Sequence, residues 1–240
     1  MTDLTKFHKK ILSQQGQDGV LEEIFRVIGT TDKFFVEFGS SGRRDGQGNT
    51  PYLRELGFTG LLMNAMESGY SDEREKKDYD LKVEFVKAST VNSIFEKYSV
   101  PAEFDFLSID IDGQDFHVWN ALNYRPRVIS VESNYAIFPD YDVVMKYDED
   151  YIWDASYSSG ASILALQRLG QKKGYDLVAY AGADCIFVRK DITNDHEFIH
   201  ANDCVALWNA NIELGTGDYQ PFVKDIIADS SFFFPSATFM

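Results

Sequence analysis

Acidic and amide side chains occupy alternate positions near the ends of two apolar segments of this sequence. Asp110 and Asp112 close the first segment, and Glu132 and Asn134 close the second. Alternate side chains of a strand point to the same face, so each pair shares a face if its segment is a strand. Carboxylates crowded together repel one another unless a positive charge lies between them, and a divalent cation prefers oxygen ligands. The four residues are therefore candidate ligands of Mg²⁺ or Mn²⁺; alternatively, they only shape turns and bind backbone N–H groups.

A second candidate binding site follows an apolar segment near residue 38. Glu37 and Gly39 close that segment, and Ser40, Ser41 and Gly42 follow. A glycine turn lets the backbone approach a ligand closely, and a helix that begins after it offers unpaired N–H groups to polar atoms. This pattern is typical of a nucleotide-type site, although a tight turn that binds nothing has the same letters.

Seven apolar segments predict the strands that must position these residues. They are 33–39, 58–65, 81–88, 104–112, 127–134, 176–181 and 185–190. Helix-like stretches separate the first five, and the last two lie close together, as in an antiparallel hairpin. We therefore predict an α/β fold with a doubly wound, mostly parallel seven-stranded sheet and a C-terminal antiparallel hairpin, similar to a Rossmann fold. Ligands of such sheets bind outside the carboxyl ends of the strands.

Apolar stripes at helical spacing predict three helices between these strands. The first stripe comprises Val20, Leu21, Ile24, Phe25 and Ile28, and the second comprises Val91, Ile94, Phe95 and Tyr98. A third comprises Ile163, Leu166 and Leu169, ahead of two lysines and Gly174, which predicts the end of that helix.

Length and composition limit the classes of protein to which this chain can belong. Its 240 residues, 44% hydrophobic, predict one domain over 1–240, with a helical segment over 1–30 and a C-terminal extension over 191–240. The net charge of -15 opposes nucleic acid and anionic membranes, so we expect a small-molecule partner. Without an apolar run of about 18 residues or an apolar signal core, the chain is expected to be soluble and cytoplasmic.

Two further features bear on partners. Cys185 and Cys204 match no zinc or redox spacing, which predicts two inert thiols. Three consecutive phenylalanines, Phe232 to Phe234, either pack onto the core or form a subunit contact in a homo-oligomer, and we favour packing.

Several motifs together resemble one enzyme family. They are Phe-Val-Glu-Phe-Gly at 35–39, Asn-Thr at 49–50, Phe-Asp-Phe-Leu-Ser-Ile-Asp-Ile-Asp-Gly at 104–113, Gly-Ala-Ser at 160–162 and Lys-Gly-Tyr at 173–175. With these motifs, the chain from 34 to 191 resembles the FkbM-like family of class I S-adenosylmethionine-dependent methyltransferases. The resemblance implies the class I methyltransferase fold, S-adenosyl-L-methionine as cofactor and O-methylation of a small-molecule acceptor.

The resemblance also implies which residues bind the cofactor. Its methionine part would lie at the turn formed by Glu37, Gly39, Ser40 and Ser41, and its adenine at Ala88 and Ser89, with Asp110 beside it. The ribose position falls on Asn64, where these enzymes usually have an acid; Glu67 is a substitute if the loop turns back. An amide lacks the charge-assisted bonds of a carboxylate, so a methyltransferase-like binding module without the cofactor is the alternative.

The predicted chemistry is metal-assisted methyl transfer. Asp110 or Asp112 with Glu132 and Asn134 resembles the metal site of catechol-type O-methyltransferases, in which the ion lowers the pKa of the substrate oxygen and positions it. His117 is the candidate general base, with a half-buried packing residue as the alternative. A substrate cap or a packed loop is expected from six aromatic residues, Tyr135, Phe138, Tyr141, Tyr147, Tyr151 and Trp153.

A competing motif, His196-Glu197-Phe198-Ile199-His200, has the letters of a zinc peptidase. Zinc helices of that class are apolar around the motif, whereas Asn194-Asp195 and Asn202-Asp203 flank this one. No third-ligand motif follows it. We therefore interpret the segment as a polar surface helix and keep a zinc hydrolase as the less favoured alternative.

Overall fold

The computed structural model describes residues 1–40, 48–66, 80–214 and 233–240. The strands are β1 Phe34–Phe38, β2 Thr59–Asn64, β3 Leu81–Val83, β4 Phe106–Ile109, β5 Val128–Glu132, β6 Val144–Met145, β7 Tyr175–Ala181, β8 Asp184–Arg189 and β9 Phe233–Phe234. The α-helices are α1 Gln17–Ile28, α2 Pro51–Glu55, α3 Val91–Lys97, α4 Asp115–Ala121, α5 Ile163–Lys173, α6 Lys190–Thr193 and α7 Cys204–Glu213. Short 3-10 helices span Leu4–Phe7 and Ser236–Thr238.

Seven strands form one sheet in the order β3-β2-β1-β4-β5-β8-β7. The first five are parallel, and β8 runs antiparallel to both β5 and β7. This confirms the predicted α/β fold with its mostly parallel sheet and C-terminal hairpin. The strand order reverses between β1 and β4, which is where an open sheet of this kind leaves a crevice for ligands.

Helices cover both faces of the sheet, as the apolar stripes predict. Helix α1 buries Val20, Leu21 and Ile24 against one face. Helices α3, α4 and α5 contribute Phe95, Trp119 and other buried residues to a larger cluster on the other face. Burial of these side chains, at about 25 cal/mol per Å² of apolar surface, is the main force that holds the layers together.

The strands end earlier than the apolar segments predict. Strand β4 ends at Ile109, so Asp110 and Asp112 lie in the following loop, and Asp112 has a left-handed φ of 58°. The expectation that Asp110 and Asp112 share one face of a strand is therefore wrong. The cause is Asp115, whose carboxylate accepts hydrogen bonds from the backbone N–H groups of Ile111 and Gly113, both at 2.8 Å, and so bends the chain.

The segment with the letters of a zinc peptidase is not helical. Phe198 forms an isolated bridge with Thr2, and His200 has a φ of 63°. The predicted surface helix over 196–200 is therefore wrong. The zinc motif requires both imidazoles to lie one helical turn apart, and this backbone does not provide that spacing.

Chain ends and thiols complete the described fold. Strand β9 pairs with β6, and Phe233 is buried there, so the described part of the triple phenylalanine packs onto the core. Cys185 and Cys204 are both buried and free. Within the described ranges, no helix has both the length and the apolar character needed to cross a membrane. Ser41, Gly42, Glu67 and Phe232 lie outside the described residues.

Candidate functional site

Three carboxyl groups converge at the carboxyl ends of β4 and β5. Ligand oxygens of Asp110, Asp112 and Glu132 all lie within 4.8 Å of one another. Strands β4 and β5 pair Ile109 with Val131, so the next residues, Asp110 just after β4 and Glu132 at the end of β5, lie side by side. Asp112 joins them through the turn that Asp115 holds. Three of the four predicted ligands therefore lie together, and a turn rather than a strand brings in Asp112.

Burial and mutual repulsion dominate the electrostatics of this cluster. Burial raises the pKa of Asp110 well above its usual range, and the charges of Asp184, Asp115 and Asp112 raise it further. Burial and the charge of Asp110 act in the same way on the pKa of Glu132. The side chains of Asp110 and Glu132 are also in hydrogen-bond contact, and this contact lowers the pKa of Asp110 and so opposes the other effects. Among the described residues, no Lys or Arg forms an ion pair with any of the three.

Two cavities lie on either side of the carboxyl cluster. The large cavity, about 340 Å³, lies at the ends of β1 to β4, and its lining includes Gly39, Asn64, Val86 and Asp110. The small cavity, about 120 Å³, lies beyond β5, and its lining includes Glu132, Asn134, Tyr135 and Tyr157. Asp112 and Trp153 line both cavities. The carboxyl cluster therefore forms the boundary between two spaces that small molecules can enter.

The turn after β1 lies directly against the loop after β4. Gly39 has a φ of 71°, and a Cβ atom at this position would lie 1.6 Å from the carbonyl oxygen of Asp110. The next residue, Ser40, donates its N–H to the carbonyl of Met63 at 3.1 Å. Glycine is required here because the ends of three neighbouring strands converge on it, which sets the position of Asp110 at the cavity.

Replacement of Gly39 by alanine should lower the free energy of unfolding by more than about 3 kcal/mol, because backbone strain and a steric overlap with Asp110 add together. Gly174 provides a control, since it has left-handed φ and ψ of 82° and 37° and a Cβ atom added there would meet only the end of the Arg125 side chain, at 3.9 Å. Gly174→Ala should cost only about 1 to 2 kcal/mol. Urea denaturation measures both, and equal losses would show that the overlap at Gly39 is relieved by a shift of the loop.

Glu37 faces the protein interior and not a cavity. Its carboxylate accepts a hydrogen bond from the backbone N–H of Asn49 at 2.6 Å and another from the Thr50 hydroxyl. Burial raises its pKa, while these bonds lower it. Glu37 therefore fixes the turn at 49–50. It is not one of the described residues that line the two cavities.

A buried polar network continues from this turn to β8. The Asn49 side-chain amide donates to Ser108 at 3.0 Å and to Asp184 at 3.2 Å. Asp184 also accepts bonds from Ser130 at 2.8 Å and from Gln17 at 2.6 Å. Asp184 is not among the residues predicted from the sequence. The pattern that could have identified it is an acidic residue at the start of an otherwise apolar strand.

Of the residues predicted to bind ribose and adenine, Asn64 lines a cavity, whereas Ala88 and Ser89 do not. Asn64 lines the large cavity, and its amide group donates to the carbonyl of Ser40 at 2.9 Å. Ala88 and Ser89 lie in the turn before α3 and are not among the lining residues, whereas Phe85 to Lys87 are. The Ser89 hydroxyl donates to Glu149, and Lys87 pairs with Asp150 at 3.0 Å. These two contacts hold the segment 147–153 over the cavity.

Asn134 braces the wall of the small cavity. Its amide donates to the carbonyls of Tyr157 at 2.6 Å and Ser159 at 2.8 Å, and its oxygen accepts the N–H of Ala136 at 3.0 Å. The predicted metal ligand is thus already bonded at both ends of its side chain. Its position keeps the loop at 157–160 against the cavity.

His117 lies in α4 and is buried. Its Nε2 atom is hydrogen-bonded to the carbonyl of Met145 at 2.8 Å, and its ring packs 4.8 Å from Phe239 and 5.2 Å from Tyr147. Burial lowers its pKa. His117 is not among the described residues that line either cavity, so its contacts favour the packing alternative over the general base.

Asp115 is a further site residue that the sequence alone does not single out. It lines the small cavity, begins α4, and has a pKa that burial raises to about 7. The hydrogen bonds that it accepts from backbone N–H groups favour the ionised form and limit that rise.

The acids, both cavities and the crevice of the sheet lie at one edge of the fold. No protein-family model matches the chain, and no curated protein matches it either.

Proposed function

We propose that this chain is an S-adenosylmethionine-dependent methyltransferase that methylates an oxygen of a small-molecule acceptor, with a divalent cation at Asp110, Asp112 and Glu132. One observation carries the proposal: the three carboxyl groups lie between two cavities and contribute to the lining of both. The large cavity would hold the cofactor and the small cavity the acceptor. A reaction between two molecules requires this kind of adjacent binding.

The large cavity suits the proposed cofactor in size and chemistry. Its volume of about 340 Å³ falls in the range of small-molecule sites. Its wall includes Gly39 and Asn64, the positions that the family resemblance assigns to methionine and ribose, and it continues to Val86, two residues before the predicted adenine position at Ala88. Acidic residues in the wall, including Asp110 and Asp148, favour a cationic sulfonium over an anionic ligand. Apolar side chains, including Phe85, suit the face of a purine.

Each partner would supply one element of the chemistry. When bound, S-adenosylmethionine supplies an electrophilic methyl group, and the electron pair of the broken carbon–sulfur bond stays on sulfur as the new carbon–oxygen bond forms. A divalent cation supplies charge that lowers the pKa of the acceptor hydroxyl. The Asp110 and Glu132 side chains contact each other, and an ionised oxygen of this pair would accept the proton that the hydroxyl releases. Asp112 orients the acceptor at the boundary of the two cavities.

A second candidate is a methyltransferase-like binding module that does not use this cofactor. The hydrogen bond from Asn64 to the Ser40 carbonyl favours it, because one amide N–H is no longer free for a ribose hydroxyl. This bond also changes the meaning of an acidic substitution. Asn64→Asp would place a carboxylate oxygen against the carbonyl of Ser40 and repel it, so the substitution would strain the turn.

Calorimetric titration with S-adenosylhomocysteine should show saturable binding to the wild-type protein. Asn64→Ala should weaken it about tenfold, as expected for one lost hydrogen bond in a cavity. Asn92→Ala removes a similar amide-to-carbonyl bond, to Ala121, at a residue that lines neither cavity, and should leave the affinity unchanged. Folded protein that releases no heat at millimolar ligand would contradict the proposed cofactor and support the binding module.

A further inference from the structure

We infer that the acceptor carries a cationic amine and that the small cavity binds it. The inference rests on the proposed function, which assigns this cavity to the acceptor. We infer the chemical class of the acceptor, a small amino alcohol, from the residues around the carboxyl cluster. Three aromatic side chains and several acids form the walls that carry the argument.

Three aromatic side chains, Tyr135, Trp153 and Tyr157, line the small cavity. The rings of Tyr135 and Tyr157 pack edge to face, with centroids 6.1 Å apart and an interplanar angle of 88°. The indole N–H of Trp153 donates to the carbonyl of Ser156 at 2.8 Å, which fixes that ring. Aromatic faces carry negative charge density, so aromatic walls of this kind favour a cation over an anion.

The floor of the same cavity is acidic. Asp112, Asp115 and Glu132 line it, and the charges of Asp110 and Asp184 act on Glu132 from behind. A divalent cation at the carboxyl cluster would offset at most two of the negative charges that these carboxyl groups carry when ionised. The net charge of -15 adds a long-range attraction for cations. An anionic acceptor would be repelled, and a neutral one would gain hydrogen bonds from this floor but no attraction between charges.

The size of the cavity limits what it can hold. About 120 Å³ has room for roughly four water molecules, each with a share of about 30 Å³, which suits a small ammonium head group and not a whole substrate. Trp153 and Tyr157 are 47% and 45% exposed, so the cavity opens to solvent between them. Asp112, which lines both cavities, lies where a hydroxyl attached to such a head group would reach. The acceptor oxygen and the amine therefore belong to one small molecule.

Choline and its neutral isostere, in which carbon replaces the quaternary nitrogen, test this inference by saturation-transfer NMR without cofactor or metal. Choline should bind about tenfold more tightly than the isostere, because only the cation gains from the rings and the acids. Tyr157→Ala and Glu132→Gln should each weaken choline binding about fivefold or more. Tyr141→Ala removes an exposed tyrosine of the same chain region that lines neither cavity, and it should change nothing.

Two outcomes would overturn the inference. Equal affinities for choline and the isostere would mean that the cavity selects by shape, and choline binding that survives both substitutions would place the cation elsewhere. Neither outcome depends on the methyl donor, because the titration contains none. Cofactor binding without choline binding would leave the proposed function standing with a different acceptor, whereas choline binding without cofactor binding would leave the cation site standing alone.

Discussion

Replacement of Asp110 by asparagine should abolish methyl transfer and make the metal-free protein more stable at pH 8. Activity should fall at least about 100-fold, because the variant loses a cation ligand and a proton acceptor together. The gain in stability, on the order of 2 kcal/mol, follows from the removal of a buried charge that the charges of Asp184, Asp115 and Asp112 oppose. Asparagine preserves the shape of the side chain, so packing changes little.

The gain should depend on pH in a defined direction. Because the pKa of Asp110 is raised in the folded state, the folded protein holds a proton that the unfolded chain releases above its ordinary value of 3.8. The protonated Asp110 makes its full contribution to the free energy of unfolding below about pH 4. This contribution is lost as the pH rises through the pKa of Asp110 in the folded protein. Urea unfolding of the two proteins should therefore give similar free energies at pH 4 and diverge by pH 8. Asp140→Asn, at an exposed position, is the control.

An Asp110→Asn protein that is less stable than the wild type at pH 8 in excess chelator would contradict this account. It would mean that a positive group compensates the charge of Asp110 in the folded protein. Activity that survives the substitution would separately remove Asp110 from the proposed chemistry. The two measurements are independent, since one needs no cofactor and the other needs no unfolding.

The fold is predictable from this sequence because its signals are local. Short apolar segments, separated by helical stripes such as Val20, Leu21 and Ile24, determine strand, helix and their alternation. Asp110 and Glu132 are predictable as neighbours for the same reason, since β4 and β5 are consecutive parallel strands. Carboxyl ends of such strands lie at one edge whatever the details of their loops.

Contacts between distant residues are not predictable in this way. Glu37 has the position of a ligand-binding acid, but Asn49 and Thr50, which come 12 and 13 residues later, occupy its carboxylate. Asp184 depends on Gln17 from the other end of the chain. The hydrophobic periodicity of the sequence does not predict these hydrogen bonds, because the residues meet only when the sheet has formed.

Local motifs also fail where a tertiary contact overrides them. His196 and His200 have helical spacing in the sequence, but Phe198 forms a bridge with Thr2 and a turn follows it, so their segment is not a helix. Asp112 follows Asp110 at the two-residue spacing of a strand. The hydrogen bonds from the Ile111 and Gly113 N–H groups to Asp115 nevertheless bend this segment into a left-handed turn. In both segments one hydrogen-bonded contact outweighs a propensity of a few tenths of a kcal/mol per residue.

Addition of Mn²⁺ or Mg²⁺ should raise the melting temperature of the wild-type protein at pH 8. At about 100 times the dissociation constant, one bound ion stabilises the folded state by about 2.7 kcal/mol, which corresponds to roughly 5 to 10 °C for a chain of this length. The rise should be much smaller at pH 5, because protons on Asp110 and Glu132, whose pKa values are raised, compete with the ion. Differential scanning calorimetry at constant ionic strength measures both.

Substitutions separate a bound ion from simple screening of the negative charge. Asp112→Asn and Glu132→Gln should each remove most of the rise, because each deletes one of the three converging carboxylates. Asp150→Asn removes the same amount of negative charge, but its side chain is 88% exposed and pairs only with Lys87 among the described ion pairs, so the rise should persist. A rise of the same size in all four proteins would mean that the ions screen charge without binding. The chemistry at the boundary of the two cavities would then be general base catalysis by Asp110 and Glu132.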